Sequence, residues 1–139
     1  MSLRIVQLGT PRAPGEGLRL GTVRRPPRGV PKTEFASRNF YDVWLPTLSP
    51  SAELMKLGLA AQASGDVKHW ATFAKKFRAE IAASPDALHL LDLLAALSKQ
   101  TDFSLGCYCE DEHWCHRSVL RALFTERGAQ IAETNEPRD

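Results

Sequence analysis

The sequence predicts an α/β domain: one layered unit with a mostly parallel central sheet flanked by helices. Short apolar and β-branched runs at 3–8, 18–23 and 102–109 are separated by long stretches with helical periodicity. Strands divided by helices in this way pair in parallel. The length of 139 residues suits one domain built on one core. That domain is expected over 1–139, with its core at about 3–132 and a frayed tail at 133–139. No internal repeat or linker divides it.

The first strand, 3–8, centres on Ile5 and Val6 and is closed by Gly9, Thr10 and Pro11. A turn at Pro14-Gly15-Glu16-Gly17 leads into an alternating strand at 18–23. The segment 24–31 carries three prolines and Gly29, so it is a loop. The aromatic run 39–45 reads as a third strand, although one turn of helix fits it equally well.

Ser49-Pro50 reads as an N-cap followed by proline at the first helical position, opening a helix to about Gln62. Asp66 caps the next, in which Trp70, Phe73, Phe77 and Ile81 recur at helical steps as a core stripe. Ser84-Pro85 opens a third helix to about Gln100, whose leucines wrap so much of its circumference that it is expected to be largely buried. A strand at 102–109, a helix at 115–127 ended by Gly128, and a short terminal strand at 130–132 complete the order.

Apolar residues make up 43% and charged residues 24% of the chain, as in soluble globular proteins. The most apolar stretch, 87–97, is too short to span a bilayer and contains His89 and Asp92. No secretory signal is visible, and three clustered cysteines make a poor disulfide framework, so a reduced cytoplasmic setting is expected. A net charge of +2 does not by itself imply nucleic acid. Its distribution is uneven: Arg19, Arg24, Arg25, Arg28, Lys32 and Arg38 face a single anion, Glu34, across that segment. This is either a solvated face or a platform for an anion.

All three cysteines and two of the four histidines fall within 107–117. Strand alternation places Cys107 and Cys109 on one face, near the strand's carboxyl end, where open α/β sheets bind ligands. Cys115, His116 and Arg117 fall at the next helix N-terminus, which favours a thiolate or a bound anion. A catalytic thiol at Cys107 or Cys115, with His116 or His113 as base and Arg117 as anion clamp, is one reading of the cluster; cysteines packed as small core hydrophobes are the other. No cofactor is expected. A zinc site would use Cys107, Cys109, Cys115 and His116, but adjacent Cys-His ligands point roughly 100° apart on a helix. The acids Glu110, Asp111 and Glu112 would repel an anion unless they turn outward.

The pattern Cys107, seven residues, then Cys115-His116-Arg117-Ser118-x-Leu120 resembles the signature of the family known as domain of unknown function 488. Arg24-Arg25, Pro27-Arg28-Gly29-Val30, Trp44-Leu45, Leu48-Ser49-Pro50-Ser51 with Glu53-Leu54, and Trp70 with Phe73 resemble its YeaO-like branch. The resemblance implies a compact intracellular α/β domain and no established activity. It also makes the Arg24 to Arg28 loop a second wall of the site.

The leading expectation is thus a pocket for a small anionic ligand. Arg24, Arg25, Arg28 and Arg117 bind the ligand, and Cys107, Cys115 and His116 carry thiol-dependent or hydrolytic chemistry. Two alternatives stand beside it: a nucleic-acid module using 19–38 with Phe40, Tyr41 and Trp44 for stacking, and a zinc-stabilised interaction domain. No membrane partner is expected.

Overall fold

The computed structural model describes residues 1–132; the tail at 133–139 lies outside the described residues. Four strands form one parallel sheet: β1 (Leu3–Gln7), β2 (Leu18–Gly21), β3 (Val43–Trp44) and β4 (Phe103–Cys107), in the order β1-β4-β2-β3. β4 runs between β1 and β2, with Leu105 opposite both Ile5 and Leu20. All carboxyl ends therefore lie along one rim. The helices are α1 (Ala52–Ser64), α2 (Val67–Ala82), α3 (Pro85–Leu97) and α4 (His116–Glu126).

Alternation along the strands separates two faces. Leu3, Ile5, Leu20, Phe103 and Leu105 join residues of all four helices in one apolar cluster that includes Phe73, Phe77, Leu91, Leu120 and Phe124. Each such large side chain contributes roughly 1.5–3 kcal/mol by leaving water. The helices thus gather on one face. On the other, Gly21 and Gly106 leave bare backbone on which Tyr41 and Leu8 pack. That side is covered by loop chain, and Arg19 holds it together. Its Nε donates to Glu16 Oε2 at 2.7 Å, and its Nη1 donates to the carbonyls of Thr10 and Asn39 at 2.9 and 2.7 Å. Ser104 Oγ adds a bond to the same carboxylate at 2.7 Å. Arg19 is fully buried, so it is a structural ion pair and no part of a basic platform.

Several boundaries depart from the sequence expectation. Helix α1 starts two residues later, because the cap is Ser51, whose hydroxyl accepts from Leu54 N–H; Pro50 is buried just before it. Helix α3 does begin on Ser84 and Pro85, but it is only half-buried. Leu93 and Leu97 lie in the open; Ala87, Leu91, Leu94 and Ala95 are buried in the core, and Leu88 and Leu90 pack against it only partly buried. β3 shrinks to two residues, since Asn39 takes a positive φ of 64° and turns the chain. Of the terminal strand only a bridge from Ile131 to Leu3 remains. No helix among the described residues is long and apolar enough to cross a membrane.

Candidate functional site

The carboxyl rim of the sheet gathers the residues with chemistry. β4 ends at Cys107, a turn carries Cys109 back under it, and Cys115 is the N-cap of α4. The three Sγ atoms lie within 4.8 Å of one another, and the Cys107 to Cys109 pair is 3.9 Å apart. All three cysteines are free thiols; Cys107 and Cys115 are buried and Cys109 is partly so.

His116 adjoins them. Its Nε2 lies 2.7 Å from the Thr22 carbonyl oxygen, which can only accept, so the Nε2 nitrogen carries the hydrogen. Nδ1 is then directed at Cys115 Sγ, 3.8 Å away. Arg117 is not a clamp reaching into solvent. Its Nη2 donates to the Cys109 carbonyl at 2.6 Å and its Nε to Cys115 Sγ at 3.4 Å. His116 and Arg117, the two residues that follow Cys115, are thus both turned onto the thiol cluster while satisfying the carbonyls of Thr22 and Cys109.

These contacts spread one charge unevenly over three sulfurs. The thiols of Cys107 and Cys109, followed by the His116 imidazole, favour charge on Cys115 and hold it far below the ordinary thiol range, outweighing burial. Cys107 is pushed up, first by its partnership with Cys109, then by Cys115 and burial. At Cys109 the Cys107 thiol pulls downward, but Cys115 and burial outweigh it and the net direction is up.

Beside the cluster opens a cavity of about 560 Å³. Cys107 and His116 lie at its base. Arg24, Arg25, Arg28 and Lys56 bring cations to it, and Val23, Pro26, Pro27, Phe40, Met55 and Tyr108 supply apolar wall. Tyr108 ties the arginine loop to the strand end, its hydroxyl donating to the Arg25 carbonyl at 2.9 Å. Cys109 and His116 also border a separate void of about 20 Å³ beneath Trp70 and Trp114. Cys115 and Arg117 line neither space.

The structure therefore unites Arg24, Arg25, Arg28, Cys107 and His116, and places Cys115 directly behind them. It removes Arg117 from the cavity and removes His113 altogether: that ring is exposed and pairs with Asp111 at 3.2 Å. The acidic loop turns away from the cavity. Asp111 caps a turn at Glu112–Trp114, and Glu112 holds Arg121 through bonds of 2.6 and 2.9 Å. Tyr41 is buried and unavailable for stacking. Thr22, Met55 and Lys56 were not singled out by sequence reasoning. The Thr22 carbonyl is a backbone atom without a sequence signal, and Met55 and Lys56 reach the site only through the docking of α1.

Residues 3–128 match the family model described as the Active DUF488-N3 subclade. The chain belongs to the DUF488 family. The match takes in both the arginine loop and the Cys-His-Arg segment of this DUF488 protein, and it does not carry the finer YeaO-like placement. No curated protein and no solved structure matches the chain.

Proposed function

We propose that this DUF488 protein binds a small anionic ligand in the cavity of the carboxyl rim and acts on it through its cysteine cluster. The observation that carries this reading is the shared space: Arg24, Arg25 and Arg28 line the same cavity as Cys107 and His116. Guanidinium groups recognise phosphate and carboxylate oxygens in bidentate fashion. Cys107 is the thiol that the ligand meets. As its sulfur bonds to an electrophilic centre of the ligand, the bond from that centre to its leaving group breaks and the leaving group takes the electron pair. The Cys107 proton passes to the adjacent Cys115 thiolate, with His116 Nδ1 beyond it. The negative charge on Cys115 thereby moves to the cavity floor without loss of a proton to solvent. The subclade's description as active agrees with a reactive cluster.

The test is alkylation of Cys107 by iodoacetamide, followed by peptide mass spectrometry. Inorganic phosphate or pyrophosphate should slow it in the natural protein and have no effect in an Arg24→Ala, Arg25→Ala, Arg28→Ala variant. Equal rates with and without anion in the natural protein would defeat the proposal.

A second reading is favoured by the sulfur geometry. Tetrahedral zinc with bonds near 2.3 Å sets thiolates about 3.8 Å apart, close to the 3.9 Å of Cys107 and Cys109. His116, with Nε2–H given to a backbone carbonyl, is oriented as metal-bound imidazoles are. Cys107, Cys109 and Cys115, whose sulfurs lie within 4.8 Å of one another, would then hold a structural zinc, with His116 outside that group of ligand atoms, and elemental analysis of the purified protein would find the metal near stoichiometry. The thiol reading expects substoichiometric metal and full alkylation without chelator.

A further inference from the structure

We infer that the ligand of this cavity is a nucleotide, a phosphate joined to a flat heterocyclic body. This rests on the anion-pocket reading and adds the ligand's class. The first support is the pairing of the cations. Arg12, Arg78, Arg121 and Arg127 each hold a carboxylate, and Arg19 and Arg117 are spent on buried bonds. No carboxylate or other side-chain acceptor among the described residues engages the guanidiniums of Arg24, Arg25 and Arg28. Three guanidiniums without a side-chain acceptor, around one cavity with no acidic residue in its wall among the described residues, make a site for phosphate charge.

The second support is the remainder of the wall. A bare phosphate would occupy a small part of 560 Å³, a volume within the range of roughly 300–1,000 Å³ for sites that enclose whole small molecules. The Phe40 and Tyr108 rings meet edge to face at 6.3 Å, and Pro27 and Met55 extend the apolar surface. Rigid aromatic and proline surfaces suit a planar base, which stacks on them whatever its identity. The nucleotide can be free or part of a single strand. Across Pro26, which borders both spaces, lies a second cavity of about 480 Å³ flanked by Lys32, Phe35, Trp44 and Asp42, the last neutralised by Arg12 at 2.9 Å, where a neighbouring residue of a strand would fit.

Calorimetric titration of the full chain tests this with inorganic phosphate, octyl phosphate, adenosine, nucleoside monophosphates and a short single-stranded oligonucleotide. At least one monophosphate should bind about tenfold tighter than phosphate, octyl phosphate or adenosine. Arg28→Ala and Phe40→Leu should each weaken it by several-fold, and Arg38→Ala, outside the cavity, should not. Tighter binding of the oligonucleotide, lost in Trp44→Ala, would assign the strand as the source; unchanged affinity would assign the free nucleotide. Octyl phosphate binding as well as any monophosphate would overturn the nucleotide class and leave the anion pocket standing. Failure of every anion to bind a folded sample would overturn both.

Discussion

Three sulfurs within 4.8 Å of one another do not lose protons independently, and their titration belongs to the group. Cys115 is driven down by the two neighbouring thiols and His116, while Cys107 and Cys109 are driven up. One thiolate should therefore persist at neutral and mildly acidic pH, where isolated thiols are protonated. Ultraviolet thiolate absorbance during acid titration checks this: the signal should survive in the natural protein and vanish in Cys115→Ser. A signal that appears only above the ordinary thiol value of 9.0 would contradict the charge assignment. The cysteines and His116 were legible from the sequence because they sit within eleven residues. The expected strand alternation of Cys107 and Cys109 was not the source of their proximity, since β4 ends at Cys107 and a turn brings Cys109 back. The direction of Arg117 was not legible, because it depends on a carbonyl at Cys109 that only the folded turn presents. Arg19 was misread for a related reason. Its partner Glu16 lies three residues earlier, outside the basic stretch, and only the closed loop buries them together.

At the level of elements, the rim depends on two bare positions. Gly21 and Gly106 face each other across β2 and β4. A Cβ on Gly21 would fall against the Tyr41 ring, 2.8 Å from Cγ. Gly21→Ala should therefore lower stability by about 1–3 kcal/mol, read as a drop in thermal midpoint, whereas an unchanged midpoint would show that Tyr41 can move aside freely. Helix starts were legible where a cap and its proline coincide with the first turn, as at Ser84 and Pro85. The same letters at Ser49 and Pro50 misled, because a single 3-10 turn at Pro46–Leu48 precedes them and Ser51 is the residue that reaches Leu54 N–H. Periodicity overstated the burial of α3, since six leucines say nothing about how many neighbours the fold supplies.

For the whole molecule, the parallel α/β architecture followed from element order alone, and the strand order did not, because pairing between residues 100 apart leaves no local trace. The loop-covered face adds a pH dependence. Burial raises the Glu16 carboxyl, but the bonds from Arg19, Ser104 and the Ala13 N–H outweigh it and hold the group below 4.5. A depressed carboxylate contributes stability above its unfolded value, and that contribution disappears as pH falls through the folded value. Glu16→Gln leaves Arg19 buried without its anion and should cost about 3–5 kcal/mol at neutral pH. In urea unfolding the gap between variant and natural protein should close below pH 4.5; a constant gap down to strongly acidic pH would mean that the ion pair is not its source.

The position of β4 has a consequence for how the chain becomes structured. It is the last strand to be synthesised, yet it supplies the pairing surface for both β1 and β2. Until residues 103–107 leave the ribosome, the first strand has no neighbour, and the sheet cannot grow outward from its amino-terminal end. Helices α1 to α3 can associate early through local contacts, while the sheet waits for closure of a loop of about a hundred residues, a slow and entropically costly event. The thiol cluster, built on the end of that strand, thus acquires its buried geometry beside Thr22 and the arginine loop only when that closure occurs.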